Sequence, residues 1–157
     1  MKVYEPGPEE DLLLLQLYST MVQAGDLEKA FTSPMKSLTT FMARLQPPSI
    51  LVYEADKDGM WFVAWFDYIL SALTLGLWVR EDYRDQPKTT APLLQESLRA
   101  IFGLTPVIVA ITRDPKVVKS AQLFGFQKHG IIPHIWEGEA AYIMSVTKED
   151  FEKTNGV

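Results

Sequence analysis

Between Met60 and Val79 the chain carries a single charged residue, Asp67. A run of that length could cross a bilayer as a helix. Asp67 near its middle, the frequent aromatic and β-branched residues and the turn residues at its flanks argue instead for two adjacent buried strands, Met60–Phe66 and Ser71–Val79. The first of these lacks alternation, which predicts burial on both faces. Strands this apolar need cover, and 157 residues with 47% apolar content are enough for one domain, 1–157, with a proper core.

The flanking sequence supplies that cover. Met1–Glu5 is expected as an edge strand ended by Pro6 and Pro8. Glu9 to Gln23 reads as a helix with Glu9, Glu10 and Asp11 in its first turn and Gly25 to stop it, and the run Leu12–Leu15 predicts that it is well buried or partly covered by another segment. Ser33 as cap and Pro34 at the first position signal a second helix carrying Met35, Leu38, Phe41, Met42 and Leu45 on one face and ended by Pro47 and Pro48. Ile50–Glu54 and Met60–Phe66 flank Asp56-Lys57-Asp58-Gly59, a hairpin turn. Beyond Val79 a polar turn leads into a helix capped by Thr89 or Thr90, with Pro92 in its first turn, running to Gly103. A strand Val107–Ile111, a helix opened by Asp114-Pro115 and stopped by Gly125, a last strand Ala140–Val146 and a polar tail with a short helix at Lys148–Lys153 complete the chain.

Charge and composition narrow the function. A net charge of -5 argues against gripping nucleic acid or an anionic membrane, which requires clustered Lys and Arg. With no cysteine and two histidines, His129 and His134, there is no thiolate nucleophile, disulfide or Cys- or His-rich metal site. The acidic opening MKVYEPGPEED does not look like a signal peptide, so a cytoplasmic protein is expected.

The polar turn Arg80–Lys88, between a buried strand and a helix, suits an anion. Amides of a first helical turn and the helix dipole favour phosphate oxygens, and Arg84, Lys88, Thr89 and Thr90 add charge and hydroxyls. Arg80 and Arg113 are expected to be exposed strand-end residues. Trp61 and Trp65 are expected to pack in the core, whereas Trp136, in the loop HGIIPHIWEGE, either lines a groove or tucks under the sheet.

The order strand, two helices, three antiparallel strands, helix, strand, helix, two strands, with Trp78-Val79-Arg80-Glu81-Asp82-Tyr83-Arg84 leading into a helix and Gly125-Phe126 closing a later one, resembles the GNAT superfamily of acyl-CoA N-acyltransferases. The resemblance implies an α/β (α+β) fold with a mixed, mostly antiparallel central sheet flanked by helices. It implies acetyl-CoA or another acyl-CoA as co-substrate, an amine of a small molecule or peptide as acceptor, and a thioester lying against Leu77, Trp78 and Val79. The family's Arg/Gln-x-x-Gly-x-Gly/Ala turn falls on Arg84-Asp85-Gln86-Pro87-Lys88-Thr89, so Pro87 removes one donor amide. Asp114 stands where an Asn is usual, can still cap, and by the resemblance is a cofactor-binding position. The tyrosine that often protonates the leaving thiolate falls on Ala121. The strand Ser71–Val79 has no acid to serve as base, leaving Glu54 and Asp67 as substitutes, with His134 and Tyr142 as proton donors or shuttles. The departures also resemble catalytically inactive GNAT-like proteins of tailed phages. That reading implies a structural or interaction protein with a virion partner or a homodimer.

Overall fold

The apolar run becomes two neighbouring strands, β3 (Gly59–Ile69) and β4 (Ala72–Val79), joined by a turn at Leu70 and Ser71. The computed structural model describes residues 1–31 and 37–156. Among these, no helix is long and apolar enough to cross a membrane. β3 is buried continuously from Gly59 through Phe66, as its unalternating sequence predicts. The strand does not end at Phe66, however, so Asp67 lies inside it. There Ser49 Oγ donates to Asp67 Oδ1 at 2.5 Å and the Arg44 guanidinium pairs with Oδ2, which makes a carboxylate tolerable at the end of an apolar strand. The sheet runs in the order β1-β2-β3-β4-β5-β7-β6 and is antiparallel except between β4 and β5.

The chain divides into two units that share β4 and α4 (Pro87–Ile101). The first comprises Met1–Asp67 and Gly76–Leu94. Its strand β2 (Ile50–Asp56) pairs with β1 (Lys2–Val3) on one side and β3 on the other, with a bulge between Glu54 and Ala55. Helix α1 (Pro8–Ala24) starts on three acids and stops at Gly25, whose φ of 70° lets its N–H reach the Met21 and Val22 carbonyls. Those acids also tie the helix to the sheet: Tyr53 donates to Glu10 Oε1 at 2.6 Å and Tyr4 donates to Asp11. Burial, then the Asp11 bond, pushes the Tyr4 hydroxyl up to about 12. A short helix, α2 (Leu27–Ala30), follows, which the sequence pattern does not announce.

Helix α3 (Leu38–Leu45) begins at Ser37, whose Oγ accepts the Thr40 N–H at 3.2 Å. The expected start at Ser33, Pro34 and Met35 lies outside the described residues. Leu14, Leu17, Met21, Phe31, Phe41, Leu45, Leu51, Tyr53, Val63, Trp65 and Trp78 form the core of this unit. Each such side chain contributes roughly 1.5–3 kcal/mol by burial. Leu14, Leu17 and Met21 of α1 are buried while Leu12, Leu15 and Val22 remain exposed, so the helix is partly covered.

The second unit comprises Tyr68–Leu75 and the chain from Gln95 onward. β4 pairs in parallel with β5 (Val107–Thr112) at Leu73, Thr74 and Leu75. β5 then pairs with β7 (Glu139–Thr147), and β7 with β6 (Gln127–Trp136). Helix α5 (Pro115–Gln122) is capped by Asp114, whose Oδ1 accepts the Lys116 N–H at 2.9 Å. α6 (Lys148–Asn155) is capped by Thr147. Trp136 is 3% exposed, tucked under the Arg113 guanidinium at 4.6 Å, and Arg113 in turn bonds Glu139 at 2.8 Å. Arg113 is thus engaged in packing, not a bare strand-end residue.

Candidate functional site

β4, the turn after it and the start of α4 form one continuous segment carrying Leu77, Trp78, Val79, Arg84, Lys88, Thr89 and Thr90. Gly76 admits no side chain, because a Cβ would sit 1.9 Å from the Trp65 ring. The Trp65 indole therefore lies directly over the β4 backbone, stacked on Phe31 at 4.8 Å. Leu77 is exposed and Trp78 is buried, as alternation along a strand requires.

The turn is organised by two arginines. Arg80 is 13% exposed and bridges two carboxylates: Nη1 and Nη2 donate to Asp56 at 3.1 and 2.7 Å, and Nε donates to Asp82 at 2.7 Å. It is a half-buried organiser, contrary to its expected exposure, because β2 extends to Asp56 and brings that carboxylate to it. The Arg80 bonds hold the Asp56 carboxyl down at about 2. Tyr83 donates to Asp56 at 3.2 Å and stacks on Trp61 at 4.0 Å between ring centres, pinning the Glu81–Tyr83 turn.

Arg84 is fixed differently. Its Nε–H donates to the Val79 carbonyl at 2.7 Å, and Nη2 donates to Asp26 Oδ2 at 2.6 Å. Asp26 is 4% exposed and its Oδ2 also accepts the Trp78 Nε1–H at 2.9 Å. Sequence reasoning missed Asp26 altogether. The only local signal is an acid directly after the glycine that stops α1, and nothing in the linear pattern announces its partners on β4 and the turn.

Helix α4 begins at Pro87, not at Thr89 or Thr90. The Gln86 carbonyl accepts the N–H groups of Thr89 and Thr90 at 3.0 and 3.1 Å, and the Thr90 hydroxyl donates to the same carbonyl at 3.2 Å. Pro87 at the first helical position loses no bond by lacking an N–H. Pro92 falls inside the helix, where it cannot donate to the Lys88 carbonyl. Of the first turn's amides, that of Lys88 is the one left to meet a ligand. The Lys88 and Thr89 side chains are exposed.

The expected proton-transfer groups are divided between the two units. Glu54 Oε1 lies 2.5 Å from the Met1 amine, and Asp67 is engaged with Arg44 and Ser49. Both belong to the first unit but sit in separate ion pairs. His134, Tyr142 and Asp114 belong to the second unit. His134, at a φ of 60°, bonds the Gly138 carbonyl through Nδ1 at 3.0 Å, and Tyr142 lies on β7 under the Lys128 ammonium at 5.5 Å. Asp114 serves as the α5 cap.

No family model matches the sequence, and no curated protein matches it. Solved structures do share its fold. A spermidine N-acetyltransferase from Vibrio cholerae, in complex with CoA and spermine, aligns at a TM-score of 0.74 and 11% identity over 96% of each chain. A GNAT superfamily phosphinothricin acetyltransferase from Sinorhizobium meliloti, in complex with AcCoA, aligns at 0.72 and 12% identity over 93% of this chain and 87% of that one. The ribosomal-protein-S18-alanine N-acetyltransferase from Escherichia coli aligns at 0.65 and 16% identity over 93% and 92%. At these identities the likeness is one of fold, and the fold is that of the GNAT N-acetyltransferases.

Proposed function

We propose that this chain is an acyl-CoA-dependent N-acyltransferase that transfers an acetyl group to a small amine. The observation that carries the reading is the strand–turn–helix Gly76–Thr90, set in a fold whose structural neighbours include proteins solved with CoA or AcCoA. The α4 start fits a pyrophosphate in part: it offers the Lys88 amide and ammonium, the Thr89 and Thr90 hydroxyls and the Arg84 guanidinium, while Pro87 offers nothing.

In the reaction the acceptor nitrogen attacks the thioester carbonyl, the C–N bond forms, the C–S bond breaks and the thiolate leaves with a proton. Backbone N–H groups along Leu77–Val79 polarise the carbonyl. Because Glu54 and Asp67 are held in ion pairs, the proton lost by the amine passes through water. We place such an enzyme in the cytoplasm.

A second reading has its own observations. Asp26 already neutralises Arg84, Pro87 has no N–H to donate, and Ala121 stands where a thiolate-protonating tyrosine is expected. These favour an interaction protein, of phage type, that keeps the fold and binds a virion partner or a second copy.

Calorimetric titration with acetyl-CoA, with adenosine 3′,5′-bisphosphate as control, separates the two. Micromolar binding, about -8 kcal/mol, is expected for the enzyme. No heat and no thermal stabilisation at millimolar ligand transfers the case to the interaction protein.

A further inference from the structure

Asp26 ties two parts of the Gly76–Thr90 segment together from outside it, 58 residues before Arg84. Its Oδ2 accepts from Trp78 on β4 at 2.9 Å and from Arg84 in the turn at 2.6 Å, and its side chain is 5% exposed. Arg84 is anchored a second time through Nε to the Val79 carbonyl at 2.7 Å. A guanidinium has five N–H donors in a rigid fork. The two anchors use Nε and Nη2 and leave Nη1, on a side chain that is 42% exposed. A lysine could satisfy one of these partners but not hold a planar donor edge in a set direction.

We infer that Asp26 is a positioning residue for the coenzyme. It holds the Arg84 guanidinium so that its remaining edge meets a phosphate oxygen at the α4 start, and through Trp78 it fixes that edge relative to the strand carrying the thioester. The inference rests on the acyltransferase reading. It accounts for a buried acid beside the very arginine that an anion needs: the carboxylate lowers the charge at the turn but removes the cost of ordering a long side chain when the ligand arrives.

The test is calorimetric titration of acetyl-CoA into the full-length protein and the variants Asp26→Asn, Arg84→Gln and the double variant, each with a thermal melt. In Asp26→Asn the side-chain amide oxygen still accepts from Trp78 Nε1, but the charge that pairs with the guanidinium is gone. Asp26→Asn should weaken binding by about tenfold, the size of one charge-assisted contact. The double variant should bind no worse than Arg84→Gln alone, since a residue acting through Arg84 has nothing further to lose. Unchanged affinity in Asp26→Asn, or an additional loss in the double variant, overturns the assignment and leaves Asp26 a purely structural acid. Should Asp26→Asn fail to fold, Arg84→Lys reads the same geometry: about a tenfold loss is expected, and wild-type affinity overturns the inference. Absence of binding by the wild-type protein overturns it together with the acyltransferase reading, whereas wild-type binding with unaffected variants overturns the inference alone.

Discussion

The starts of α4 and α5 are built from the same parts and finished in opposite ways. Each follows a strand, each has an arginine directly after that strand, and each helix opens on a proline, Pro87 in one and Pro115 in the other. At α5 the residue before the proline is Asp114, and its carboxylate takes the Lys116 amide. At α4 the corresponding residue is Gln86, whose side chain turns back to the Asp82 carbonyl at 3.1 Å. Of the acids around the α4 turn, Asp82 is engaged by Arg80 and the incoming Asp26 by Arg84, while Glu81 and Asp85 are exposed. One helix start carries an anion at its cap position; the other carries a neutral glutamine there. A strand, an arginine and a proline therefore do not specify an anion site. The residue at the cap position decides.

That comparison can be broken most severely at the arginines. Arg80→Ala leaves Asp56 and Asp82 without their shared partner and should cost about 2 kcal/mol in urea unfolding, whereas Arg113→Ala, with its partner Glu139 largely exposed, should cost about 0.5 kcal/mol. The same contact sets a pH dependence. Asp56 is depressed from 3.8 to about 2, so its stabilisation is complete above about 4 and is lost as pH falls toward 2. Acid-induced unfolding followed by circular dichroism should therefore start at higher pH in Arg80→Ala.

Next in size is Asp114→Ala, which removes a cap and should cost about 1 kcal/mol by thermal melt, with no effect on coenzyme binding. An effect on affinity would place α5 in the binding machinery. The smallest change makes the two helix starts alike. Gln86→Asp should stabilise the protein by about 0.5 kcal/mol through capping, and weaken acetyl-CoA by about fivefold through like charge. Stabilisation with unchanged affinity would detach the ligand from the α4 start.

Most elements were legible because their signals are local. Apolar runs flanking a hairpin turn, helix-stopping glycines and the pairing of a cap with a first-turn proline identify β2, β3, α1 and α5 from a handful of neighbours. The α4 boundary was misplaced because Thr89 and Thr90 are good caps by residue type, yet the Gln86 carbonyl had already closed the turn. The turn's polar network was illegible for a different reason. Arg80 meets Asp56 across a bulged hairpin, and Arg84 meets Asp26 from a segment 58 residues earlier. Such partners are set by packing, after the strands have paired. Helix α2 is a single turn, too short to show periodicity.

The contact of Trp65 with Gly76 constrains how this chain can change over time. With a Cβ 1.9 Å from the indole, every single substitution at Gly76 meets the ring, and overpacking of that kind costs roughly 1–3 kcal/mol or more. Replacing Trp65 first opens a space that a side chain at position 76 could then refill. The two positions are thus open to change in one order only: the indole must shrink before the glycine can grow.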